Sequence, residues 1–296
     1  MTAEELLKKH IQEADAILQI DGIHCVGISK DSEGNLFRAA FSHNENTEML
    51  VSNPLLKDCK IVYEELPVDD VLRFPLNETK EYGKDYNRYR PMLGGISICL
   101  EDDEYIRYGT LSSFVKSKAP GDNNYYILSN QHVLEKNGLM VYQPDAGKDN
   151  QVAIVTDSIS GVDSDSAIAK VTDYDFKSGI VEEIGKVNEV RVAGFDDIGK
   201  YVLKRGRTTL RTRGIIDSVY CFLKIDDVTV KNEIRIISAD GNPYSDSGDS
   251  GSPVVFEDDH KLLGIHYAGD GKDHIKGYAS SIDSVFKDLN IELAIY

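Results

Sequence analysis

The stretch Gly248-Asp249-Ser250-Gly251-Ser252-Pro253 sets a serine between glycines, just ahead of the apolar run Val254-Val255-Phe256. A serine hydroxyl attacks an acyl carbon only with a base to take its proton, an acid to orient that base, and donors for the oxyanion. Gly248 reaches backbone angles closed to other residues, so the amides of Gly248 and Ser250 can turn toward one point as those donors. The base candidate is His132, two positions past the end of the β-type run YYILSN. A histidine at a strand end is held by a rigid element and faces a cleft. The orienting acid is Asp165 or Asp163 in VDSDSAIAKV, where a carboxylate ahead of a short buried strand can fix the imidazole tautomer. A further histidine, His266, lies in the strand GIHYAG just beyond the candidate nucleophile. His260 and His274 fall in charged loops, and His10, His24 and His43 stand alone, so these five read as structural.

Groups so far apart in sequence need a rigid scaffold. From Pro91 onward, short apolar runs alternate with Gly, Asn and Asp turns, a pattern of many strands that suits two packed antiparallel barrels. The run SIDSVFKDLNI closes the chain as a helix capped by Ser281 or Asp283. Residues 1–88 form a smaller α+β unit and residues 89–296 the stranded domain. The first unit opens on a capping box of Thr2 and Glu5, then places Leu6, Leu7, Ile11, Ala14, Ile17 and Leu18 on one helical face. IHCVGISK, LFRAAFS and CKIVYEEL follow as strands, with a turn at Ser32-Glu33-Gly34-Asn35. No catalytic constellation appears in this unit.

The composition, 41% hydrophobic and 28% charged over 296 residues, is that of a globular protein with a real core. A formal net charge of -17 repels phosphate backbones and anionic lipid surfaces, which argues against nucleic-acid and membrane partners. The N-terminal residues carry no signal-type apolar core, and no run of 18 apolar residues occurs. Cys25, Cys59, Cys99 and Cys221 are scattered without a CxxC pair and read as reduced thiols, so a cytoplasmic location is expected. No cofactor or metal is expected. Asp270 and Asp273 in AGDGKDH match no EF-hand spacing and read as a solvated turn. The basic stretch KRGRTTLRTRG reads as a strand pair with exposed alternate arginines.

The order His132, Asp165, Ser250, carried by ILSNQHVL, DSAIAKV and GDSGSPVV, resembles trypsin-like serine proteases of the chymotrypsin fold. More closely, the chain resembles intracellular bacterial and plant proteases of the Narrow-leaf type, with their small N-terminal domain, GGISI entry, GTL strand and GRTT element. The resemblance covers residues 91–296 well and 20–70 weakly. It implies a mainly β protein, a double β-barrel with an N-terminal α+β domain and a C-terminal helix. It also implies a serine endopeptidase acting on proteins or peptides, with His132 as base, Asp165 rather than Asp163 as orienter, and Ser250 as nucleophile. Gly248 and Ser250 would form the oxyanion hole. Two departures stand out. Leu210 follows GRTT where the family often has glycine, and no activation-type start supplies an N-terminus for Asp249 to pair with. A protease that needs no N-terminal processing, or one switched by a regulatory protein bound to the N-terminal domain, is therefore expected. A homo-oligomer is compatible with the sequence. The rival reading is a protease-fold binding module with a closed, silent cleft.

In the implied fold, the strand after the nucleophile loop walls the pocket for the substrate residue before the cut, and Tyr244 and Ser245 floor it. No carboxylate lies on that floor to hold Lys or Arg. The GIH-x-x-G strand, with His266, Tyr267 and Gly269, resembles glutamyl endopeptidases and picornaviral cysteine proteases, which pair a pocket histidine with a hydroxyl residue. Ser245 and His266 hold the matching positions, His266 sixteen residues beyond Ser250. This implies cleavage after Glu or Gln, or Asp. The plainer reading of His266 is a core histidine bonded to a carbonyl, and the -17 charge opposes acidic substrates at long range.

Overall fold

Thr2 and Glu5 do close a capping box: Thr2 Oγ1 accepts from Glu5 N at 3.2 Å, and Glu5 Oε2 accepts from Thr2 N at 2.7 Å. Helix α1 (Ala3–Ile17) follows and buries Leu6, His10, Ala14 and Ile17. The computed structural model describes residues 1–43, 50–64, 71–72, 76–77, 85–101, 106–160, 164–225, 228–270 and 273–295. After α1 come β1 (Ile23–Lys30), β2 (Leu36–Ser42) and β3 (Cys59–Tyr63), then two short strands, β4 (Val71–Leu72) and β5 (Leu76–Asn77).

The next elements are β6 (Met92–Gly94), β7 (Ser97–Glu101), β8 (Ile106–Thr110), β9 (Ser113–Ser117), β10 (Tyr125–Ser129), helix α2 (Gln131–Leu134), β11 (Met140–Tyr142), β12 (Gln151–Ser160) and β13 (Asp165–Val171). β14 (Phe176–Val181) and β15 (Gly185–Lys186) join β6 in a small sheet. The chain then forms β16 (Tyr201–Gly206), β17 (Leu210–Ile225), β18 (Val228–Ser238), β19 (Pro253–Phe256), β20 (Leu262–Asp270) and β21 (Lys276–Ser281). Helix α3 (Ile282–Asp288) and β22 (Ile291–Leu293) complete it.

The architecture is mainly β. An antiparallel sheet in the order β22-β9-β10-β13-β12-β11-β7-β8-β5 surrounds one apolar core that includes Ile98, Leu111, Phe114, Ile127, Val141 and Ala169. In the second sheet, β16-β19-β20-β21-β18-β17 closes on itself because β16 also pairs with β17. Ser281 takes the N-cap position of α3, but its Oγ donates to Asp283 Oδ1 at 2.5 Å and makes no side-chain cap bond. Val285 of α3 and Leu289 just after it pack with Leu128 and Ile168 of the first barrel and Ile265 of the second. β22 then pairs with β9. The C-terminal segment thereby fastens the two barrels at a fixed mutual angle.

The 16-residue strand β17 serves two structures at once. Its first half pairs with β16, while its second half pairs with β1 through Cys25↔Leu223, Val26↔Phe222 and Ile28↔Val219. The N-terminal strands thus extend the sheet of the second barrel. Gly27 permits the close approach, since a Cβ there would lie 2.7 Å from Cys221 Sγ. Helix α1 lays Ala14 and Ile17 on Val26, Ala40 and Phe222, and Arg38 Nη1, fully buried, donates to Glu13 at 2.7 Å. His10 Nε2 bonds the Tyr220 carbonyl at 2.7 Å, with its ring edge-on to Phe222. Cys25, Cys59, Cys99 and Cys221 are all free thiols. No helix among the described residues is long and apolar enough to cross a membrane.

Burial pushes the His10 imidazole from its ordinary 6.5 down to about 4. The unfolded chain therefore takes up a proton first as pH falls, so this group's contribution is whole above about pH 6.5 and declines toward pH 4. Burial moves His24 and His266 the same way. Urea unfolding midpoints are expected to be lower at pH 5 than at pH 7, and His10→Gln, which keeps a donor for Tyr220, should shrink that difference. A variant with the wild-type pH dependence would contradict the assignment.

Candidate active site

Antiparallel pairing of β10 with β13 sets Ser129 opposite Ala167, so the end of one strand lies beside the start of the other. Asn130 Nδ2 donates to the Asp165 carbonyl at 2.7 Å. The first two amides of α2, Gln131 N and His132 N, donate to Asp165 Oδ1 at 2.9 and 3.2 Å. The other carboxylate oxygen, Oδ2, meets His132 Nδ1 at 2.5 Å. Asp165 is buried and the His132 side chain is only 12% exposed. Because a carboxylate only accepts, the ring proton belongs on Nδ1 and Nε2 is left as the free base. Nε2 is buried with no hydrogen-bond partner among the described residues. Asp163 lies outside the described residues.

Ser250 is held from both barrels. Its carbonyl accepts from Thr110 N of β8 at 2.8 Å, and the next amide, Gly251 N, donates to the His266 carbonyl of β20 at 2.8 Å. Thr110 Oγ1 donates to the Gly248 carbonyl at 3.0 Å, and Ser129 Oγ donates to the Thr110 carbonyl at 2.8 Å. Gly248 adopts φ +95°, and a Cβ there would lie 2.7 Å from Thr208 Oγ1. Gly251 adopts φ +93°, where a Cβ would lie 2.1 Å from the Thr110 carbonyl oxygen. No other residue fits either place. The amides of Asp249, Gly251 and Ser252 all donate to backbone carbonyls, whereas those of Gly248 and Ser250 donate to no described group. Uncommitted amides in the loop that carries a serine hydroxyl are what an oxyanion requires.

Asp249 faces inward, fully buried. Oδ2 accepts from Lys204 Nζ at 3.0 Å, Thr209 Oγ1 at 2.6 Å and Asp246 N at 3.0 Å. Oδ1 accepts from Thr208 N at 2.7 Å and Thr209 N at 3.1 Å. Burial alone would raise this carboxyl's pKa, but Lys204 and these donors outweigh it and hold the group below the usual carboxylate range. The sequence reading left Asp249 without a partner and took KRGRTTLRTRG as a strand pair with alternate arginines exposed. Arg211 and Arg213 are exposed, but Lys204, Arg205 and Arg207 are buried, because β16 turns its basic end into the loop. The missed signal was alternation: Val202 and Lys204 share a strand face, and Asp249 needs a cation. Gly206 makes the approach possible, since a Cβ would lie 2.4 Å from Asp249 Oδ1. Leu210 adopts φ +58°, the left-handed region glycine favours, so the turn keeps that conformation at some strain.

Tyr244, Ser245 and His266 come together, and all three are buried. The Tyr244 and His266 rings meet edge to face, with centroids 5.9 Å apart. Ser245 Oγ faces Gly269, where a Cβ would lie 2.9 Å away. Gly214 and Gly277 leave room for the Tyr244 ring. Tyr267 does not join this group; strand alternation sends it to the opposite face, among Cys25, Phe41 and Cys221. Burial, then the charge of Lys204, pushes the His266 imidazole down to about 3. It is neutral at pH 7, and its Nδ1 is buried without a hydrogen-bond partner. His274, placed in an exposed loop from sequence, is half-buried, and its carbonyl accepts from Tyr244 N at 2.6 Å. Asp270 Oδ1 accepts from Lys276 N at 3.2 Å. Among the described residues, no three His, Cys, Asp or Glu side chains gather as a cation site.

The family profile described as Trypsin matches residues 122–288. No curated protein matches the chain in sequence. Among solved structures, the chain is similar to Thermobifida fusca protease A, at 17% identity and a TM-score of 0.54, covering 69% of this chain and 98% of that one. It is also similar to a glutamic acid specific serine protease described as using a histidine triad in substrate binding, at 18% identity and a TM-score of 0.54, covering 69% and 100%. A third is a Cellulomonas bogoriensis chymotrypsin, at 14% identity and a TM-score of 0.52, covering 69% and 98%. At these identities the likeness shows the fold alone.

Removing one partner of a buried ion pair strands the other charge, which costs about 3–5 kcal/mol. Lys204→Met is therefore expected to lower unfolding stability in urea by that order, with Asp249→Asn in the same chain restoring part of it. A single variant as stable as wild type would show that the pair does not hold the loop.

Proposed function

The chain belongs to the trypsin family, and from that premise we propose that it is a serine endopeptidase in which His132, Asp165 and Ser250 act together. The observation that carries this reading is the 2.5 Å contact of His132 Nδ1 with a carboxylate pinned by two backbone amides. Asp165 holds the imidazole in one tautomer and stabilises the imidazolium that forms during reaction. His132 Nε2 then takes the Ser250 hydroxyl proton as Oγ attacks the carbonyl carbon of the scissile bond. The oxyanion develops against the Gly248 and Ser250 amides. Collapse of the tetrahedral intermediate expels the amine, which receives its proton from His132. Water, deprotonated by the same imidazole, hydrolyses the acyl-enzyme. With Lys204 paired to Asp249, the loop needs no liberated N-terminus to hold its form.

For the residue before the cut we propose Glu or Gln, with Asp as a shorter variant. Ser245 Oγ supplies a donor suited to a side-chain carbonyl or carboxylate, the neutral His266 imidazole lies in the same group, and Gly269 leaves the space beside Ser245 open. Tyr244 contributes packing from below, and the carboxylate whose charge reaches the group, Asp249, is already paired with Lys204. A structural neighbour that is itself glutamic acid specific supports the choice.

Ser250→Ala and His132→Ala are each expected to abolish peptide hydrolysis in a folded protein, by orders of magnitude and with the double variant little worse. Asp165→Asn should lower kcat by about 10⁴-fold through the wrong tautomer, while Asp163→Asn should be mild. Near-wild-type turnover in the single variants would refute the assignment.

Mapping of cut sites in a proteome-derived peptide library is expected to show cleavage after Glu or Gln. His266→Leu should lose that preference while a fluorophosphonate still labels Ser250. Cuts mainly after Arg, Lys or large apolar residues would sink the pocket assignment.

A further inference from the structure

Strand β21 has the proposed pocket on one face and the N-terminal unit on the other. On the pocket side, a Cβ at Gly277 would lie 2.6 Å from the Tyr244 ring and 3.0 Å from His266 Cε1. Ala279 packs in the same core as Tyr244. Alternation turns Lys276 and Tyr278 the opposite way. Tyr278 joins Cys25 of β1 with Ala39 and Phe41 of β2, and Lys276 Nζ lies 3.3 Å from Glu64 Oε1. Glu64 directly follows β3, and its amide donates to the Ser42 carbonyl of β2 at 2.8 Å. Its backbone therefore belongs to the N-terminal strands.

Glu64 is buried, and the same Oε1 also accepts from Arg235 of β18. Arg235 stands opposite Tyr278, so it flanks Lys276 on one face of the sheet. Its Nη1 reaches Asp217, and its guanidinium lies 4.1 Å over the Phe41 ring. Burial alone would raise the Glu64 pKa, but His24, Arg235 and Lys276 outweigh it and hold the carboxyl at about 2. Arg235 thus has two carboxylates, whereas Glu64 is the one ion-pair partner of Lys276 among the described residues. The backbone of Lys276 meets the pocket. A Cβ at Gly269 would lie 3.1 Å from the Lys276 carbonyl oxygen and 2.9 Å from Ser245 Oγ, so both border the same glycine. The Lys276 amide donates to Asp270 Oδ1 at 3.2 Å.

We propose that Lys276 is a positioning residue for the pocket, and that Glu64, by holding it, makes the N-terminal unit part of what selects the residue before the cut. This role presupposes the pocket for Glu or Gln argued above. The first two residues of β21 border all three pocket side chains: Gly277 lies against Tyr244 and His266, and the Lys276 carbonyl shares Gly269 with Ser245. Where β21 starts therefore fixes how wide the pocket is. Strand ends open more readily than strand centres, and the Glu64 contact pins this end from its far face. A shift of about 1 Å in groups that place a substrate can cost about 10²-fold in rate. The ion pair can thus weigh on specificity far more than on stability. If it served only to dock the N-terminal unit, its loss would change stability and leave the preference alone.

The test is made on the full chain with Lys276→Met, which leaves Glu64 paired to Arg235, and with Lys276→Arg, which restores the contact. Peptides that differ only in the residue before the cut, Gln, Glu or Leu, are compared by kcat/KM. Lys276→Met should lose about tenfold or more for both Gln and Glu relative to Leu. Fluorophosphonate labelling of Ser250 should keep its rate, and Lys276→Arg should keep the wild-type ratios. Glu64→Gln should show the same loss, with the double variant no worse than either single one. Because Gln carries no charge, a loss confined to Glu would mark a charge acting through space and would overturn the proposal. Unchanged ratios in a variant that is merely less stable would overturn it too. If the wild type labels and cuts without preference for Gln or Glu, the pocket reading fails and this role with it. If the wild type does not label, the protease reading itself fails. Should Glu64→Gln not fold, the two Lys276 variants decide.

Discussion

A carboxylate with no access to water, in the middle of the loop that carries Ser250, is the constraint from which the rest of the site follows. An isolated buried carboxylate would neutralise itself or distort its surroundings. Asp249 remains charged because Lys204, two threonine amides, a threonine hydroxyl and the Asp246 amide fill both of its oxygens. Each of those bonds also fixes backbone. With the side chain of Asp249 locked inward, the flanking amides of Gly248 and Ser250 are left without a partner among the described residues. Glycine at 206 is a consequence, since a Cβ there would lie 2.4 Å from Asp249 Oδ1.

Thr110 extends the constraint across the molecule. It donates from its amide to Ser250 and from its hydroxyl to Gly248, accepts at that hydroxyl from Arg207 N, and accepts at its carbonyl from Ser129. Ser129 ends the strand that delivers His132. The chain of contacts from Asp165 to Asp249 therefore runs almost wholly through backbone and short hydroxyl side chains. These have few rotamers to lose and little freedom to drift. The apolar seam of Leu128, Ile168, Ile265 and Val285 then sets the angle at which the two halves meet.

Much of this was legible in the residues alone. The capping box of α1, the strands at 23–30 and 36–42 and the helix after Ser281 follow from local signals, and local signals survive folding where packing does not oppose them. Pairing between distant strands leaves no such mark. Nothing in IHCVGISK states that it pairs with the far half of β17, because any amphipathic strand satisfies an open edge. The inward place of Lys204 is hidden for a related reason. Lysine is almost never fully buried without a partner, so its place inside is visible only once Asp249 is known to face it. Tyr267 was grouped with His266 by adjacency, yet neighbours in a strand point to opposite faces.

The electrostatics of the proposed pocket combine two opposing effects. The net charge of -17 repels an acidic peptide at a distance, but that field is screened beyond about 8–10 Å at physiological salt. Inside the pocket the nearest cation, Lys204, is already matched by Asp249, and the imidazole of His266 is held neutral by burial. A carboxylate entering there would meet a hydrogen-bond donor but no free counter-charge, and would give up much of its hydration. The amide of Gln gives up far less and satisfies the same donor through its carbonyl. An apolar side chain would leave the Ser245 hydroxyl buried and unpaired, the costliest outcome of the three. The physics of the site thus favours a side-chain carbonyl first and a negative charge second.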